Sequence, residues 1–447
     1  MTDDSNPDAS DRDDEQALLR FLAQFGVTPG PDGRLDLEQL VSRLQGAMSA
    51  FSAQMARYGP TDAESGMNWT FTKDVARKVA ASIGPDPTPT PVEASAIRDA
   101  AGLADLWLDE SITFSRIPLP PTAWSRADWV EHTYPTWKQL VRPVITQLAA
   151  ALGGLMGGRL GADPGTAAMQ PMIQAAASGM FAAQVGQSLG RLATEVVSAG
   201  DIGLPLTEHP RVALLPTNVA AFADGLEVDS ADVLLFLALR EAARQRLFAA
   251  VAWLGPQLLA LVEHYARDIT IDAQALEQAV ESQLSGSMTA EEIERAGHAL
   301  AGSLFAPAVT AEQREVLGRL ETLLALVEGW VDEVVAQTAG QRMPAAAALT
   351  EVLRRRRASG GPAEAALKAL VGLELRPRRT RDAANLWAAT RAARGLEARD
   401  QTWKHPDLLP TTDDLDDPLG FAEGGFHRAA PDDFDAELAK LLGEEQA

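Results

Sequence analysis

The stretch Ser230 to Val251, SADVLLFLALREAARQRLFAAV, constrains the fold more than any other part of the chain. Asp229 or Ser230 offers a helix cap, and the next twenty residues hold no Gly or Pro. Val233 to Leu239 is apolar on every face, which suits a helix enclosed by a large core. Charge then arrives abruptly, as Arg240, Glu241, Arg244 and Arg246. Arg240 and Arg244 stand four apart and share a face, with Glu241 beside them. The same triplet is common on solvated helix faces, so it needs context.

The context is a second helix. Thr310-x-x-Gln313 reads as a capping box. After it, Val316, Leu317, Leu320, Leu323, Leu324, Val327, Val331, Val334 and Val335 form a broad apolar face. Set into that face is Glu328-Gly-Trp-Val-Asp332. Its two carboxylates share one side of the helix and repel each other unless a cation or a proton intervenes. Arg240 and Arg244 supply two positive charges against Glu241, Glu328 and Asp332, so the two helices are expected to be bridged by buried, bidentate Arg–carboxylate pairs. The alternative is a set of separate, exposed ion pairs.

The chain has 447 residues and a net charge of −23, enough for one large domain or two ordinary ones. It has no Cys, which excludes disulfides and Cys-based zinc sites and permits a cytoplasmic location. No basic segment followed by an apolar run opens it, so no secretory signal is expected. Its acidity argues against nucleic-acid or anionic-membrane partners. Pro164 to Gly190 is free of charge, but Pro171, four glutamines and dense Gly argue for a tightly packed helical hairpin beside the central helix rather than a membrane span. Gly203–Leu206 and Val212–Pro216 are the strand candidates.

Residues 342–404 carry 14 basic and 6 acidic residues, with Arg354–Arg357 and Arg376, Arg378, Arg379 and Arg381 dominant. Residues 406–447 carry 12 acidic and 2 basic residues, so the tail is expected to fold back over this arginine-rich face. Of the six His, no two have i, i+4 spacing, and His264 is expected to be a satisfied or solvated side chain. Trp330 and His405 are candidate cleft residues. No Gly-x-Ser-x-Gly elbow supports a serine nucleophile.

Several segments, in collinear order, carry a resemblance. They are Met67-Asn-Trp-Thr70, Ala104-Asp-Leu-Trp-Leu-Asp-Glu110, Gln184-Val-Gly-Gln-Ser-Leu-Gly190 and Asp201-Ile-Gly-Leu-Pro-Leu206. Leu237-Ala-Leu-Arg-Glu-Ala-Ala243, Arg246-Leu-Phe248, Leu373-Glu-Leu-Arg-Pro-Arg-Arg379 and His405-Pro-Asp-Leu-Leu-Pro410 continue it. Across roughly residues 65 to 420 the chain resembles the bacterial zincin-like metallopeptidases, a family labelled "putative hydrolases". Arg240-Glu241-x-x-Arg244 has the outline of His-Glu-x-x-His, the zinc-protease helix, with both histidines replaced.

The resemblance implies a mainly α fold with few short strands. Composition and turn signals set apart a disordered acidic lead (1–16), N-terminal helices (17–84) and an acidic tail with a short terminal helix (405–447), around the zincin-like helical core (92–404) that the resemblance implies. The resemblance further implies that Arg240, Arg244 and Glu328 stand at the metal-ligand positions, with Asp332 supporting and Glu241 at the general-base position. Relatives often carry Arg at the first ligand position but keep His at the second. Arginine has no lone pair to offer a metal, so no zinc is expected here. The expected function is a non-catalytic cleft for a peptide or protein partner. The alternative is an active metal-dependent hydrolase whose metal lies elsewhere.

Overall fold

The computed structural model describes residues 57–59, 61–62, 66–159, 170–269, 310–340, 342–358, 360, 362–373 and 379–424. The acidic lead, the part of the expected N-terminal helices before residue 57, and the short helix expected at the end of the tail lie outside them. The described residues are mainly helical, with one two-stranded sheet.

The central stretch forms α6 (Ser230–Ala250), after α1 (Trp69–Ile83), α2 (Pro91–Leu108), α3 (Arg126–Arg159), α4 (Gln170–Glu195) and α5 (Pro216–Ala223). Asp229 caps α6 by accepting from the Ala231 amide at 2.8 Å. From Phe236 to Phe248 every residue of α6 is buried, the charged ones included. A chain turn, rather than a proline inside it, ends α6, and α7 (Leu254–Arg267) follows. Among the described residues no single helix is long and apolar enough to cross a membrane, and α6 and α7 together are bent by 92°.

The Thr310–Gln313 capping box opens α8 (Ala311–Ala339) as its sequence dictates. Beyond it come α9 (Ala346–Ala358), α10 (Pro362–Val371), α11 (Thr380–Gln401) and the short α12 (Thr412–Asp416) and α13 (Pro418–Ala422). α8 packs on α6, α7 and α11, so it is enclosed on several sides. At Gly329 the approach of α11 is so close that a Cβ would lie 2.5 Å from Ala383 Cβ.

The Gly-dense segment departs from expectation in its neighbour. α4 packs chiefly against α1 rather than beside α6. Gly186 and Gly190, one turn apart, face the α1 backbone, where an added Cβ would come within 2.6 Å of Thr72 O and 2.5 Å of Ala76 O. Small residues at this spacing let the helix backbones touch. The sheet also differs. β2 (Ala213–Leu214) falls within the Val212–Pro216 candidate, but it pairs in parallel with β1 (Thr122–Ala123), and Ser198 bridges to Leu214 from the other side. Gly203–Leu206 is a bend followed by irregular chain rather than a strand, and Gly203 has a φ of +80°, outside strand geometry.

Arg246 fixes α6 to α2. Its guanidinium donates to Asp105 Oδ1 at 2.6 and 3.0 Å, to Asp109 Oδ1 at 2.9 Å, and to the Asp105 and Phe114 carbonyls. A fully buried guanidinium with this many acceptors keeps its charge compensated.

Candidate functional site

The four charged residues of α6 do not share one fate. Arg246 faces α2, whereas Arg240, Glu241 and Arg244 face α8 and the loop after α4. Arg244 presents its fork to Glu328: Nε donates to Oε1 at 2.8 Å and Nη2 to Oε2 at 3.0 Å. Its third nitrogen, Nη1, donates to Glu241 Oε2 at 2.9 Å. One turn earlier, Arg240 Nη1 donates to Asp332 Oδ1 at 2.6 Å and Nη2 to Glu328 Oε2 at 3.2 Å. The i, i+4 spacing on each helix makes this possible, because two guanidiniums on α6 meet two carboxylates on α8 in register. All five side chains are buried, with exposures of 0 to 5%. These are buried bridges, not separate surface pairs.

Two further cations come from α9. Arg354 Nε donates to Asp332 Oδ2 at 3.3 Å, and Arg357 Nη2 donates to Glu328 Oε2. The Arg354–Arg357 run is divided among several partners. Arg354 and Arg357, three apart, turn toward α8. Arg355 pairs with Glu351 at 3.0 Å, and Arg356 reaches the Glu195 carbonyl and lies 3.8 Å from Asp201. The described part of the tail meets the arginine-rich stretch at Arg379, which bonds Asp416 and the Thr412 carbonyl, and at Arg394, which bonds the Phe421 and Ala422 carbonyls; the rest of the tail lies outside the described residues. Arg376 and Arg378 lie outside the described residues.

Glu241 is enclosed by donors. Ser198 Oγ (2.7 Å), the Gly200 amide (3.0 Å), Gln245 Nε2 (2.8 Å) and Arg244 all bond its carboxylate. The loop that brings Ser198 and Gly200 here is held by its bridge to β2, and by Asp201 accepting from the Val197 amide at 3.0 Å. Gly200 lies against the site: a Cβ there would stand 3.0 Å from both Arg244 Cδ and Gln245 Nε2.

Burial alone would raise the Glu328 carboxyl, but the charges of Arg244, Arg357 and Arg240 outweigh it and hold Glu328 well below the usual carboxylate range. Burial would likewise lower Arg244, yet Glu328 and Glu241 hold it above the usual guanidinium value. Glu241 moves the other way: burial raises its carboxyl, and Arg244, Ser198, Gln245 and Gly200 offset only part of that. Burial lowers Arg240, whose like-charged neighbours Arg357 and Arg244 add to the effect.

A profile of the zincin-like metallopeptidases matches residues 67–422. The chain belongs to the zincin-like metallopeptidase family. The crystal structure of a "putative hydrolase with a novel fold" from Chloroflexus aurantiacus is similar over 81% of this chain and 100% of that one, with a TM-score of 0.54 and 19% identity. At that identity the likeness speaks for the fold. No curated protein matches.

In this zincin-like protein the assembled residues do not offer a donor set for a divalent ion. The two guanidiniums on α6 have no lone pairs, and the lone pairs of Glu328 and Asp332 already accept from four arginines. Trp330 does not line a cleft with them. It is fully buried, donates from Nε1 to Asp400 Oδ1 at 3.2 Å, and packs against Phe114 and Arg399. His405 sits in an exposed turn, accepting from the Asp407 amide and lying 3.2 Å from the Asp407 carboxylate. Sequence reasoning missed Ser198, Gly200, Gln245, Arg354 and Arg357. Gln245 was legible as the residue four after Glu241, and Arg354 with Arg357 as a three-residue spacing inside the basic run. Ser198 and Gly200 carried no local signal, because only the fold brings their loop over α6.

Proposed function

We propose that this zincin-like protein is a non-catalytic member of its family. Arginines hold the ligand positions of the metal helix, and the fold serves to bind a peptide or protein partner. The observation that carries this reading is the Arg244 fork on Glu328, with Glu241 on the same guanidinium. A catalytic zinc needs neutral nitrogen or anionic donors with one position open for water. A guanidinium stays protonated and donates only. Glu241, at the general-base position, accepts from four donors and has no metal-bound water to activate.

A protein partner fits better than nucleic acid or a membrane. The net charge is −23, and two of the four consecutive arginines are turned to Glu328 and Asp332. The absence of Cys suits a reducing, cytoplasmic setting. The test is turnover of casein and of a fluorogenic peptide library by the purified full chain and by Glu241→Gln. Both are expected at the buffer background. Turnover by the full chain that Glu241→Gln abolishes would overturn the reading.

A second reading, an active hydrolase with its metal elsewhere, is favoured by one observation: His264, Asp268 and Glu312 lie together. Turnover lost in His264→Ala but kept in Glu241→Gln would support it.

A further inference from the structure

We propose that His264, Asp268 and Glu312 form a binding site for one divalent transition-metal ion of the zinc class, independent of the arginine–carboxylate site between α6 and α8. His264 and Asp268 lie one turn apart at the end of α7, and Asp268 is the residue that terminates that helix. Glu312 is in the first turn of α8. One ligand atom from each of the three lies within 4.8 Å of the other two. The His264 Nε2 atom stands 3.3 Å from Glu312 Oε1 and 3.9 Å from Asp268 Oδ2. Donors bonded to a tetrahedral zinc at about 2.1 Å are separated by about 3.4 Å. The two separations from His264 Nε2 are near that spacing.

A proton does not explain the arrangement as well as a metal does. Both carboxylates face the same ring nitrogen. One N–H on Nε2 serves Glu312 at 3.3 Å, but 3.9 Å to Asp268 is beyond hydrogen-bond reach. Asp268 Oδ2 is buried and has no hydrogen-bond partner among the described residues, a state that costs stability unless something compensates it. Arg267, next in sequence, is paired with Glu263 at 3.5 Å, and Arg314 Nε donates to the Thr310 carbonyl. A divalent ion among the three donors would neutralise both carboxylates while the imidazole stays neutral. The imidazole selects zinc-like ions over magnesium or calcium, which prefer all-oxygen sets. Three protein donors leave positions for water.

The test uses the full chain, stripped with EDTA and titrated with zinc chloride by calorimetry at neutral pH, with magnesium chloride in parallel. His264→Ala, Asp268→Asn and Glu312→Gln are compared with His405→Ala, another exposed histidine beside an acid. Wild type and His405→Ala are expected to bind one zinc per chain and no magnesium. His264→Ala should bind at least as weakly as a variant missing a supporting contact, whose loss is ~10- to 100-fold. Equal thermal midpoints of wild type and His264→Ala in EDTA would show that the fold is kept. No saturable zinc binding by wild type, binding that survives His264→Ala, or equal loss in His405→Ala would overturn the proposal. None of these outcomes bears on the peptidase test of Glu241→Gln, so the two readings fail separately.

Discussion

Replacing Arg244 by Ala removes the side chain that joins α6 to α8 most directly. Three hydrogen bonds go: the two arms of the fork on Glu328 and the contact with Glu241. Glu328 keeps Arg240 and Arg357, so its charge stays partly compensated. Glu241 keeps Ser198, the Gly200 amide and Gln245, all neutral donors, and is left 0% exposed without a countercharge. Breaking a buried pair in this way typically costs about 3–5 kcal/mol. The retained arginines on Glu328 pull the value down and the stranded Glu241 pulls it up, so the middle of that range is expected. Urea unfolding of both proteins at neutral pH measures it as a shift in midpoint at constant slope. The companion variant Glu241→Gln/Arg244→Ala should recover a part of the loss, because no unpaired charge is then buried; coupling within such a network is about 0.5–3 kcal/mol. A loss of about 1 kcal/mol or less for Arg244→Ala would place the residue among exposed ion pairs and refute the bridge.

In the His264→Ala background, EDTA should leave the thermal midpoint unchanged, since Arg240, Arg244 and Glu328 hold each other without an ion; a fall would reveal a cation between α6 and α8. Glu328 has a folded-state carboxyl below its unfolded value of about 4.3. Its contribution to stability is therefore complete above that pH and is lost as pH falls toward the folded value. Glu328→Gln should unfold at lower urea at neutral pH and show a shallower stability loss below about pH 4.3, read from midpoints across a pH series; an unchanged acid limb would count against the assignment. Glu241, raised in the fold, contributes stability that is present below about pH 4.3 and lost as pH rises, which offsets part of the Glu328 loss in acid; Glu241→Gln should therefore steepen the acid limb. Gly190→Ala should cost about 1–3 kcal/mol by overpacking α4 on α1. Gly102→Ala, on an exposed helix position with nothing within 4 Å, should stabilise by up to about 1 kcal/mol, and equal effects of the two would refute the close-approach argument.

Much of the site was legible because it obeys helical spacing. Arg240 with Arg244 and Glu328 with Asp332 each repeat at i, i+4, and a helix with so long an apolar run could only be enclosed. Charges enclosed with it need opposite charges on another element, and the acidic pair set in an apolar face was a fitting complement. Arg354 and Arg357 were missed as partners of the site because a run of four arginines looks like one surface, although a helix sends them in different directions. Trp330 was misread for a related reason. Two residues from Glu328, it points to another side of α8 and meets Asp400 and Arg399 instead.

The sequence by itself determined the main helices, the capping boxes and which charges share a helix face, since backbone spacing and apolar periodicity act over a few residues and need no partner to be known. Only the tertiary structure decided which carboxylate each guanidinium meets, that α9 supplies two more arginines, that the loop carrying Ser198 and Gly200 covers Glu241, and that His264, Asp268 and Glu312 converge. Those contacts join residues tens to more than a hundred positions apart, and their geometry depends on how whole helices pack, which local pattern does not encode.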